Sequence, residues 1–417
     1  MGTDPRRLAG ALAEVRRATE SLAAPLSAED QMVQSMPDAS PTKWHLAHTT
    51  WFFETFVLAP RAPGYRVFDA RFGYLFNSYY ESVGPRHSRP ARGLLSRPSL
   101  AEVKRYRAHV DEALGRFLRE GAPDAATLAV IELGLHHEQQ HQELVLTDIK
   151  HALAQSPLAP AYRADAAPAA PGDAPPLSYV AVEGGLVEVG HAGEGFAFDN
   201  EGPRHRAYLR PFALGSRPVT CGEVLDFIAD GGYRRPTLWL SAGFEAVTRG
   251  GWTAPLYWEE RDGAWWQFTL GGPRPVERAA PACHVSYYEA DAVARWMNAR
   301  LPTEQEWERA AADVPVAGSF VESGRLHPAA ATTPAATFAQ LYGEVWQWTA
   351  SAYAPYPGFV TAPGALGEYN GKFMVGQMVL RGGSCASPRA HLRATYRNFF
   401  PPDARWQFSG IRLARDA

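Results

Sequence analysis

The first third of the chain repeats apolar residues at the three- and four-residue spacing of helices that bury one face. Ser40-Pro41 is typical of a helix start, and Ser99 with Glu102 forms a capping-box sequence for a helix that ends at Gly121. Long helices joined by moderate connections predict an up-down bundle. The predicted helices cover residues 4–24, a stretch from Ser40-Pro41 to about Pro60, residues 99–121 and residues 123–153, with a short helix starting at Ser27.

Residues 61–98 interrupt this helical pattern with arginine, glycine, proline and aromatic residues. So long a connection without regular structure inside a compact domain is usually either functional or disordered. The aromatic content of GYLFNSYYESVGPRHSRPARGLLSRP favours an ordered loop. We therefore expect this connection to be structured and to carry function.

The pattern changes after residue 155. Residues 156–177 are rich in alanine and proline, which predicts a semi-rigid linker. Short strand-like segments and turns follow, with a hairpin predicted around Gly184-Gly185 and helices predicted by capping boxes at Thr220/Glu223, Ser286/Glu289 and Thr303/Glu306. The sequence thus predicts a multidomain chain: an all-α bundle over 1–155, a linker over 156–177, and an α+β, loop-rich domain over 178–417.

Composition excludes several classes of partner. The formal net charge is -3, which does not favour nucleic acid or an anionic membrane surface as a partner. The N-terminus lacks the apolar region of a signal peptide, and no apolar run is long enough to span a bilayer. Three widely spaced cysteines suit a reducing compartment better than a disulfide framework, so we expect a cytoplasmic protein.

The clearest chemical motif lies in the fourth predicted helix. His137 and His141 are four residues apart and therefore share one helix face, at a separation that suits one metal ion. The same residues match the HExxH pattern of zinc peptidases, with Glu138 as the base. The extended form of that pattern needs glycine and a third histidine where this chain has Leu144 and Thr147. Glu138 and His141 also match half of a di-iron bundle motif, but the bundle contains no second Glu-x-x-His.

A mononuclear site needs a third ligand from another helix. His45 and His48 lie three residues apart on the helix after Ser40-Pro41, and helical spacing alone allows either to face His137 and His141. Three neutral imidazoles around Fe(II) would leave open positions for a thiolate, a substrate nitrogen and O₂. Three imidazoles would also bind zinc tightly.

Seven separated stretches resemble the sulfoxide synthases of ergothioneine biosynthesis. The bundle carries WHLAHTTWFFE, FNSYYESVGPRHSRP and HHEQQHQEL, and the later part carries RLPTEQEWERAA, GEVWQWT, RGGSC and YRNFF. The first set resembles the DinB-like four-helix bundle. The second resembles the formylglycine-generating-enzyme (sulfatase-modifying-factor) domain, a C-type-lectin-like fold. The resemblance implies a non-haem Fe(II), O₂-dependent oxidoreductase that joins a thiol to the imidazole C2 of hercynine and oxidises the sulfur, without flavin or nicotinamide.

The resemblance also implies roles for individual residues of the bundle. His48 is the third metal ligand beside His137 and His141, because it fills the family position in W-x-L-A-H. Gln140 contacts the hercynine side. Tyr79 and Tyr80 match a tyrosine pair that flanks the iron, and a phenol there can deliver a proton; without the resemblance, core packing would be the simpler interpretation.

Two further groups of residues are implied to bind substrates. Arg86 and Arg89 match arginines that hold the carboxylate of the thiol substrate, which suits a guanidinium fork. The alternative is a solvated basic loop, because Arg92 and Arg97 lie close by. Asn398-Phe399-Phe400 matches a segment that lines the hercynine pocket, where aromatic faces suit a trimethylammonium group.

The tyrosine and phenylalanine pairs resemble the branch of the family that uses free cysteine, so cysteine is the predicted thiol and γ-glutamylcysteine the alternative.

Formylglycine-generating chemistry is not expected, because Cys385 has no cysteine partner near YRNFF. The ovothiol-pathway relative, which joins cysteine to histidine, would carry a methyltransferase domain that is not present before Ala417. Two more distant alternatives are a zinc peptidase and a non-enzymatic lectin-like module fused to a bundle.

Overall fold

The structure, a computed structural model, describes residues 4–166, 172–193, 195–331 and 338–417, which form two compact units. The helical unit runs from the N-terminus to Leu158 and includes Ala362–Tyr369. The α+β unit contains Ala159–Thr361 and Asn370–Ala417. A helical part followed by an α+β part is the order that the sequence predicts. The sequence places residues 178–417 in one domain, whereas the structure groups Ala362–Tyr369 with the helices.

The helical unit is a four-helix bundle with additional short helices. Its α-helices are α1 (Pro5–Ala23), α2 (Thr42–Phe53), α3 (Ala59–Arg61), α4 (Phe72–Phe76), α5 (Leu100–Glu120) and α6 (Ala125–Ala154). The helices α1 and α2 each pack against both α5 and α6. Aromatic and aliphatic side chains fill the space between them, with Phe53, Val110 and Ile131 fully buried.

The helix ends follow from local sequence signals. Ser99 and Glu102 form the predicted capping box, and Gly121 caps the other end of α5. A π-helical turn, Glu54–Leu58, continues α2 into α3, so the helix ends close to the predicted position. The helix predicted at Ser27 is only the 3₁₀ turn Asp30–Met32, because the backbone turns extended directly after it, at Val33 (φ -72°, ψ 134°).

The long connection between α3 and α5 is structured. It contains α4 and the 3₁₀ helix Arg89–Leu94. The Asn77 side-chain amide donates hydrogen bonds to the carbonyls of Tyr80 and Gly84, each at 3.0 Å. Those two bonds hold the turn that carries the tyrosine pair.

The α+β unit combines small sheets with short helices. The strands are β1 (Tyr179–Val182), β2 (Gly185–Val189), β3 (His205–Leu209), β4 (Phe212–Gly215), β5 (Trp258–Arg261), β6 (Ala264–Thr269), β7 (Gly272–Pro275), β8 (Trp346–Ala352), β9 (Met378–Arg381), β10 (Asn398–Phe400), β11 (Ser409–Gly410) and β12 (Ala414–Asp416). Among the described residues the sheets have the orders β1-β4-β12, β10-β9-β8-β11, β2-β3 and β5-β6-β7. The helices are α7 (Cys221–Ala229), α8 (Ser241–Gly250), α9 (Tyr287–Trp296), α10 (Glu304–Ala311) and α11 (Glu368–Gly371), the last of which begins in the helical unit.

The predicted hairpin at Gly184-Gly185 is wrong. The strands on its two sides belong to different sheets, since β1 pairs with β4 and β2 pairs with β3. A Cβ at Gly184 would lie 2.4 Å from the carbonyl oxygen of Leu209 and 2.6 Å from the nitrogen of Pro211. Gly184 is therefore needed because the segment of Leu209 and Pro211 approaches it closely. In the sequence alone, such a glycine cannot be told from one that marks a turn.

The helix starts predicted for this unit are confirmed. The capping boxes of Thr220/Glu223, Ser286/Glu289 and Thr303/Glu306 begin α7, α9 and α10. The three cysteines are buried and form no disulfide. None of the helices in the described part of the chain combines the length and the apolar composition needed to cross a lipid bilayer.

Candidate metal centre

Three buried histidines from two helices of the bundle come together at one point. His48 extends from α2, and His137 and His141 extend from α6; the ligand atoms that they offer lie within 4.8 Å of one another. Nε2 of His48 lies 3.2 Å from Nε2 of His137. Two nitrogens bound about 2.1 Å from one ion lie about 3.0 to 3.4 Å apart in octahedral or tetrahedral geometry. The cluster therefore has the spacing of a single metal site.

The imidazoles of this cluster are neutral near pH 7. Burial lowers the pKa of His137 to about 4, and burial together with the neighbouring imidazoles lowers the pKa values of His48 and His141 well below the usual range. Neutral imidazole is the form that donates a lone pair to a metal. An uncharged, all-nitrogen donor set fits a divalent first-row transition metal and does not fit Mg²⁺ or Ca²⁺, which prefer oxygen ligands.

The ring of His48 is fixed in orientation. Its Nδ1 donates to the carbonyl of Phe76 at 2.6 Å, which leaves Nε2 to face the other histidines. The indole of Trp44 stacks on the ring at a centroid distance of 4.6 Å, and that of Trp51 at 5.5 Å, both nearly parallel to it. A ligand held in this way loses little conformational freedom when a metal binds.

His45 lies behind the cluster. Its Nδ1 is 2.8 Å from Nδ1 of His141, and its Nε2 is 3.0 Å from Oδ2 of Asp148. The same carboxylate oxygen accepts the backbone N–H of Ser40 at 2.7 Å. If His141 donates Nδ1–H to His45 and His45 donates Nε2–H to Asp148, then Nε2 of His141 is free to bind a metal. The structure thus brings His48 to the pair on α6 and gives His45 a place in the surrounding hydrogen bonds.

Glu138 takes no part in this cluster. Its carboxylate is fully buried and paired with Arg107 at 2.5 Å and Arg16 at 2.7 Å, and it accepts the hydroxyl of Thr19. Burial opposes ionisation, but the two guanidinium charges outweigh it and hold the pKa of Glu138 at about 2. A general base needs a pKa near the working pH, so this carboxylate does not suit the peptidase mechanism. Its ion pairs likewise leave it unsuited as a di-iron ligand.

The two tyrosines of the predicted pair occupy different surroundings. The ring of Tyr80 is 3% exposed and packs against Trp51 and Phe56, at centroid distances of 5.7 and 5.1 Å. Because Trp51 itself stacks on His48, Tyr80 lies in the aromatic layer next to the cluster. The hydroxyl of Tyr79 accepts a hydrogen bond from Nη1 of Arg89 at 2.9 Å.

The arginines of the same loop also differ from one another. Nε of Arg86 donates to Glu81 at 2.9 Å, and the Arg86 side chain is 35% exposed. Arg89 donates to Tyr79 and to the carbonyl of Asp38. Arg92 is only 3% exposed, so the alternative of a solvated basic loop is wrong for this residue.

The remaining predicted residues lie on both units. Gln140 is half-buried on α6, in the turn between the two histidines. In the α+β unit, Asn398-Phe399-Phe400 forms β10, which pairs with β9. The ring of Phe399 stacks on Tyr353 at 4.0 Å. This strand presents half-buried aromatic rings, and its role toward hercynine stays a prediction.

Sequence reasoning missed the contribution of Ala362–Tyr369 to the helical unit. The carboxylate of Glu368 accepts the backbone N–H groups of Glu81 and Ser82 at 3.0 and 2.9 Å. The ring of Tyr369 lies 6.1 Å from that of Tyr79. The segment therefore packs beside the tyrosine pair, although nothing in its own composition separates it from its neighbours in the chain.

Comparison with known families covers nearly the whole chain. Residues 11–145 match the DinB superfamily, and residues 165–417 match the sulfatase-modifying factor enzyme 1-like domain. Both predicted fold types are thereby confirmed.

Three relatives indicate the kind of protein. The chain is 34% identical to a protein called hercynine oxygenase in Mycobacterium tuberculosis, over 99% of this chain and 100% of the relative. It is also 34% identical to a hercynine oxygenase of Mycolicibacterium thermoresistibile, over 91% of this chain and 88% of that protein. It is 27% identical to ergothioneine biosynthesis protein 1 of Schizosaccharomyces pombe, over 53% of this chain and 28% of that longer protein.

Proposed function

The chain belongs to the hercynine oxygenase family of ergothioneine-pathway sulfoxide synthases, and on that premise we propose that it joins the thiol of cysteine to the imidazole C2 of hercynine to give hercynylcysteine sulfoxide. The observation that carries the proposal is the buried cluster of His48, His137 and His141 in a chain that matches this family along its length. The reaction balances without a further reductant: hercynine and cysteine each lose one hydrogen, one oxygen atom of O₂ enters the sulfoxide and the other leaves as water.

The three histidines would hold Fe(II) in this proposal. When bound there, Fe(II) supplies the redox chemistry with O₂ that none of the protein's side chains can supply. The imidazoles contribute no charge, so an anionic thiolate is attracted to the site instead of being repelled by carboxylate ligands.

Other residues of the chain would bind substrates and move protons. The guanidinium groups of Arg86 and Arg89 would hold the carboxylate of the thiol. A phenol of Tyr79 or Tyr80 would donate a proton during sulfoxide formation. Gln140 and the Asn398–Phe400 strand would contact hercynine, with aromatic faces toward its trimethylammonium group.

Cysteine is the proposed thiol in preference to γ-glutamylcysteine. The support is the tyrosine pair at Tyr79-Tyr80 and the phenylalanine pair at Phe399-Phe400, which resemble the cysteine-using branch. Both thiols carry a cysteinyl carboxylate, so the loop arginines do not discriminate between them.

The proposal can be tested with the purified full-length protein. It is loaded anaerobically with Fe(II), mixed with hercynine and either cysteine or γ-glutamylcysteine, and exposed to O₂; products are identified by mass spectrometry. We expect hercynylcysteine sulfoxide, formed faster than the γ-glutamyl product. The His48→Ala variant should bind less than stoichiometric iron and form no sulfoxide.

Two results would contradict the proposal. Iron-loaded protein that forms no sulfoxide from either thiol would refute the reaction. Sulfoxide formation from histidine in preference to hercynine would instead identify the ovothiol-type reaction on the same scaffold.

A further inference from the structure

Glu368 is the residue through which a distant segment of the chain contacts the turn that carries the tyrosine pair. It lies in Ala362–Tyr369, which belongs to the helical unit. Its carboxylate accepts the backbone N–H of Glu81 at 3.0 Å and that of Ser82 at 2.9 Å, and it also accepts the hydroxyl of Ser82. Two consecutive backbone N–H groups that point at one carboxylate form a small anion-binding site, and the charge makes these hydrogen bonds stronger than neutral ones.

The first of these bonds acts on the peptide group that directly follows Tyr80. The carbonyl of Tyr80 accepts the side-chain amide of Asn77 at 3.0 Å. The N–H on the other side of the same peptide bond belongs to Glu81, which donates to Glu368 at 3.0 Å and to the carbonyl of Tyr79 at 3.1 Å. Because a peptide group is planar, hydrogen bonds on both of its edges fix the direction in which the chain leaves Tyr80.

The place of the Tyr80 ring matters because it packs in the aromatic layer next to the metal cluster. The ring lies 5.7 Å from that of Trp51, which in turn stacks on His48 at 5.5 Å. A proton donor works only while its hydroxyl stays within hydrogen-bond reach of the group that it serves, and a displacement of about 1 Å can cost about 100-fold in rate. The turn that carries this phenol therefore needs a fixed position as well as a fixed shape.

Glu368 supplies the fixed position. Asn77 lies within the turn, so its bonds to the carbonyls of Tyr80 and Gly84 fix the shape of the turn more than its position. Glu368 is 287 residues from Glu81 along the chain, and it therefore anchors the turn to a separate segment of the helical unit.

We infer that Glu368 is a positioning residue for Tyr80, an inference that rests on the proposed function. The carboxylate holds the turn, and the turn holds the phenol that would donate a proton while the sulfoxide forms. Loss of the carboxylate would leave two N–H groups without their charged acceptor and would release the turn. Turnover would then shift from the sulfoxide toward oxidation of cysteine alone, in which four thiols and one O₂ give two disulfides and two waters.

The first test is a double-mutant cycle on the ratio of sulfoxide to disulfide, measured with the iron-loaded full chain. Glu368→Ala should lower this ratio about 10-fold, less than the cost of a full 1 Å displacement. In the Tyr80→Phe background the same substitution should change the ratio by less than about twofold, because the hydroxyl through which Glu368 acts is already absent. A residue that only stabilises the fold would lower activity in both backgrounds alike.

Two further variants complete the cycle. Glu322→Ala is the matched control, because Glu322 also accepts the backbone N–H of a distant residue, that of Arg389 at 3.0 Å, but lies in the α+β unit. It should leave the ratio unchanged. Glu368→Asp keeps the charge on a side chain that is one methylene shorter; it should lower the ratio by less than Glu368→Ala, and it is the test variant if Glu368→Ala does not fold.

The second test does not depend on activity. Amide hydrogen exchange of the full chain is followed by mass spectrometry in peptides that cover residues 77–84. Glu368→Ala should speed exchange there, because the N–H groups of Glu81 and Ser82 lose their carboxylate acceptor. Glu322→Ala should leave exchange in these peptides unchanged.

Specific results would overturn the inference. These are an unchanged product ratio in both Glu368 variants, a further fall of the ratio when Glu368→Ala is added to Tyr80→Phe, or unchanged exchange over residues 77–84. If wild-type protein forms no sulfoxide, the proposed function fails, and the exchange measurement alone then decides whether Glu368 holds the turn. If sulfoxide forms and Glu368→Ala changes nothing, only the assignment of Glu368 fails.

Discussion

Nδ1 of His45 lies 2.8 Å from Nδ1 of His141, and Nε2 of His45 lies 3.0 Å from the carboxylate of Asp148. All three side chains are buried. Asp148 and His45 can together fix the orientation of the His141 ring only if each neutral imidazole adopts one tautomer. His141 then donates Nδ1–H to His45, and His45 donates Nε2–H to Asp148. Helix spacing had left His45 as a possible ligand, and the structure instead places it in hydrogen-bonding distance of His141 and Asp148, where it can orient the His141 ring.

We predict that His45→Phe and Asp148→Asn each weaken metal binding by about 10- to 100-fold, the usual cost of losing a hydrogen-bond partner behind a metal ligand. Competition with a chelator for Co(II) or Fe(II) measures this directly. His45→Gln, which keeps a donor and an acceptor, should retain more affinity than His45→Phe. His151→Gln is the control, because His151 is on the same helix but contacts Ser35. Unchanged affinity in both His45→Phe and Asp148→Asn would show that this pair does not support the metal site.

The second prediction concerns the stability of the bundle. Glu138→Gln should lower the free energy of unfolding by about 3–5 kcal/mol, because it leaves Arg16 and Arg107 buried without their counter-charge. Urea denaturation measures the loss. Glu112→Gln, which removes an exposed partner of Arg116, should cost less than about 1 kcal/mol.

The same carboxylate predicts a pH dependence. The pKa of Glu138 is about 2 in the folded protein and about 4.3 in an unfolded chain. Its ionisation therefore stabilises the fold fully above about pH 4.3, and this contribution is lost as the pH falls toward 2. The stability difference between wild type and Glu138→Gln should shrink over that range. A Glu138→Gln variant as stable as wild type, yet inactive with metal bound, would instead favour a catalytic role.

The third prediction separates the two tyrosines. Tyr80→Phe should lower sulfoxide formation and divert turnover to oxidation of the thiol alone, because Tyr80 lies in the aromatic layer next to His48. Tyr79→Phe should mainly raise KM for the thiol, since its hydroxyl accepts a hydrogen bond from Arg89. Quantifying sulfoxide and disulfide in one reaction distinguishes the two effects. An unchanged ratio of sulfoxide to disulfide in Tyr80→Phe would show that Tyr80 only packs in the core.

The fourth prediction concerns the loop arginines. Arg89→Ala should raise KM for the thiol more than KM for hercynine, and Arg86→Ala should have a smaller effect because its guanidinium is partly exposed and paired with Glu81. Steady-state kinetics with each substrate varied in turn measure both values. A larger effect on hercynine in Arg89→Ala would assign this loop to the other substrate.

Much of the fold could be predicted because its signals are local. A capping box such as Ser99/Glu102 is satisfied within one helical turn, and histidines four apart share a helix face whatever surrounds them. The hairpin at Gly184-Gly185 could not be judged in this way. Gly184 is required by its close contact with Leu209 and Pro211, which are distant in sequence.

By itself, the sequence determined that His137 and His141 share one face of α6, that a basic, aromatic loop follows α2, and that a helical part precedes an α+β part. Only the tertiary structure decided that His48 and not His45 meets that pair, that Glu138 is neutralised by arginines, and that Arg92 is buried. The physical reason is that residues three apart lie close on a helix surface, so the rotation of α2 against α6 selects between them. Burial and charge pairing likewise depend on which distant segments pack together.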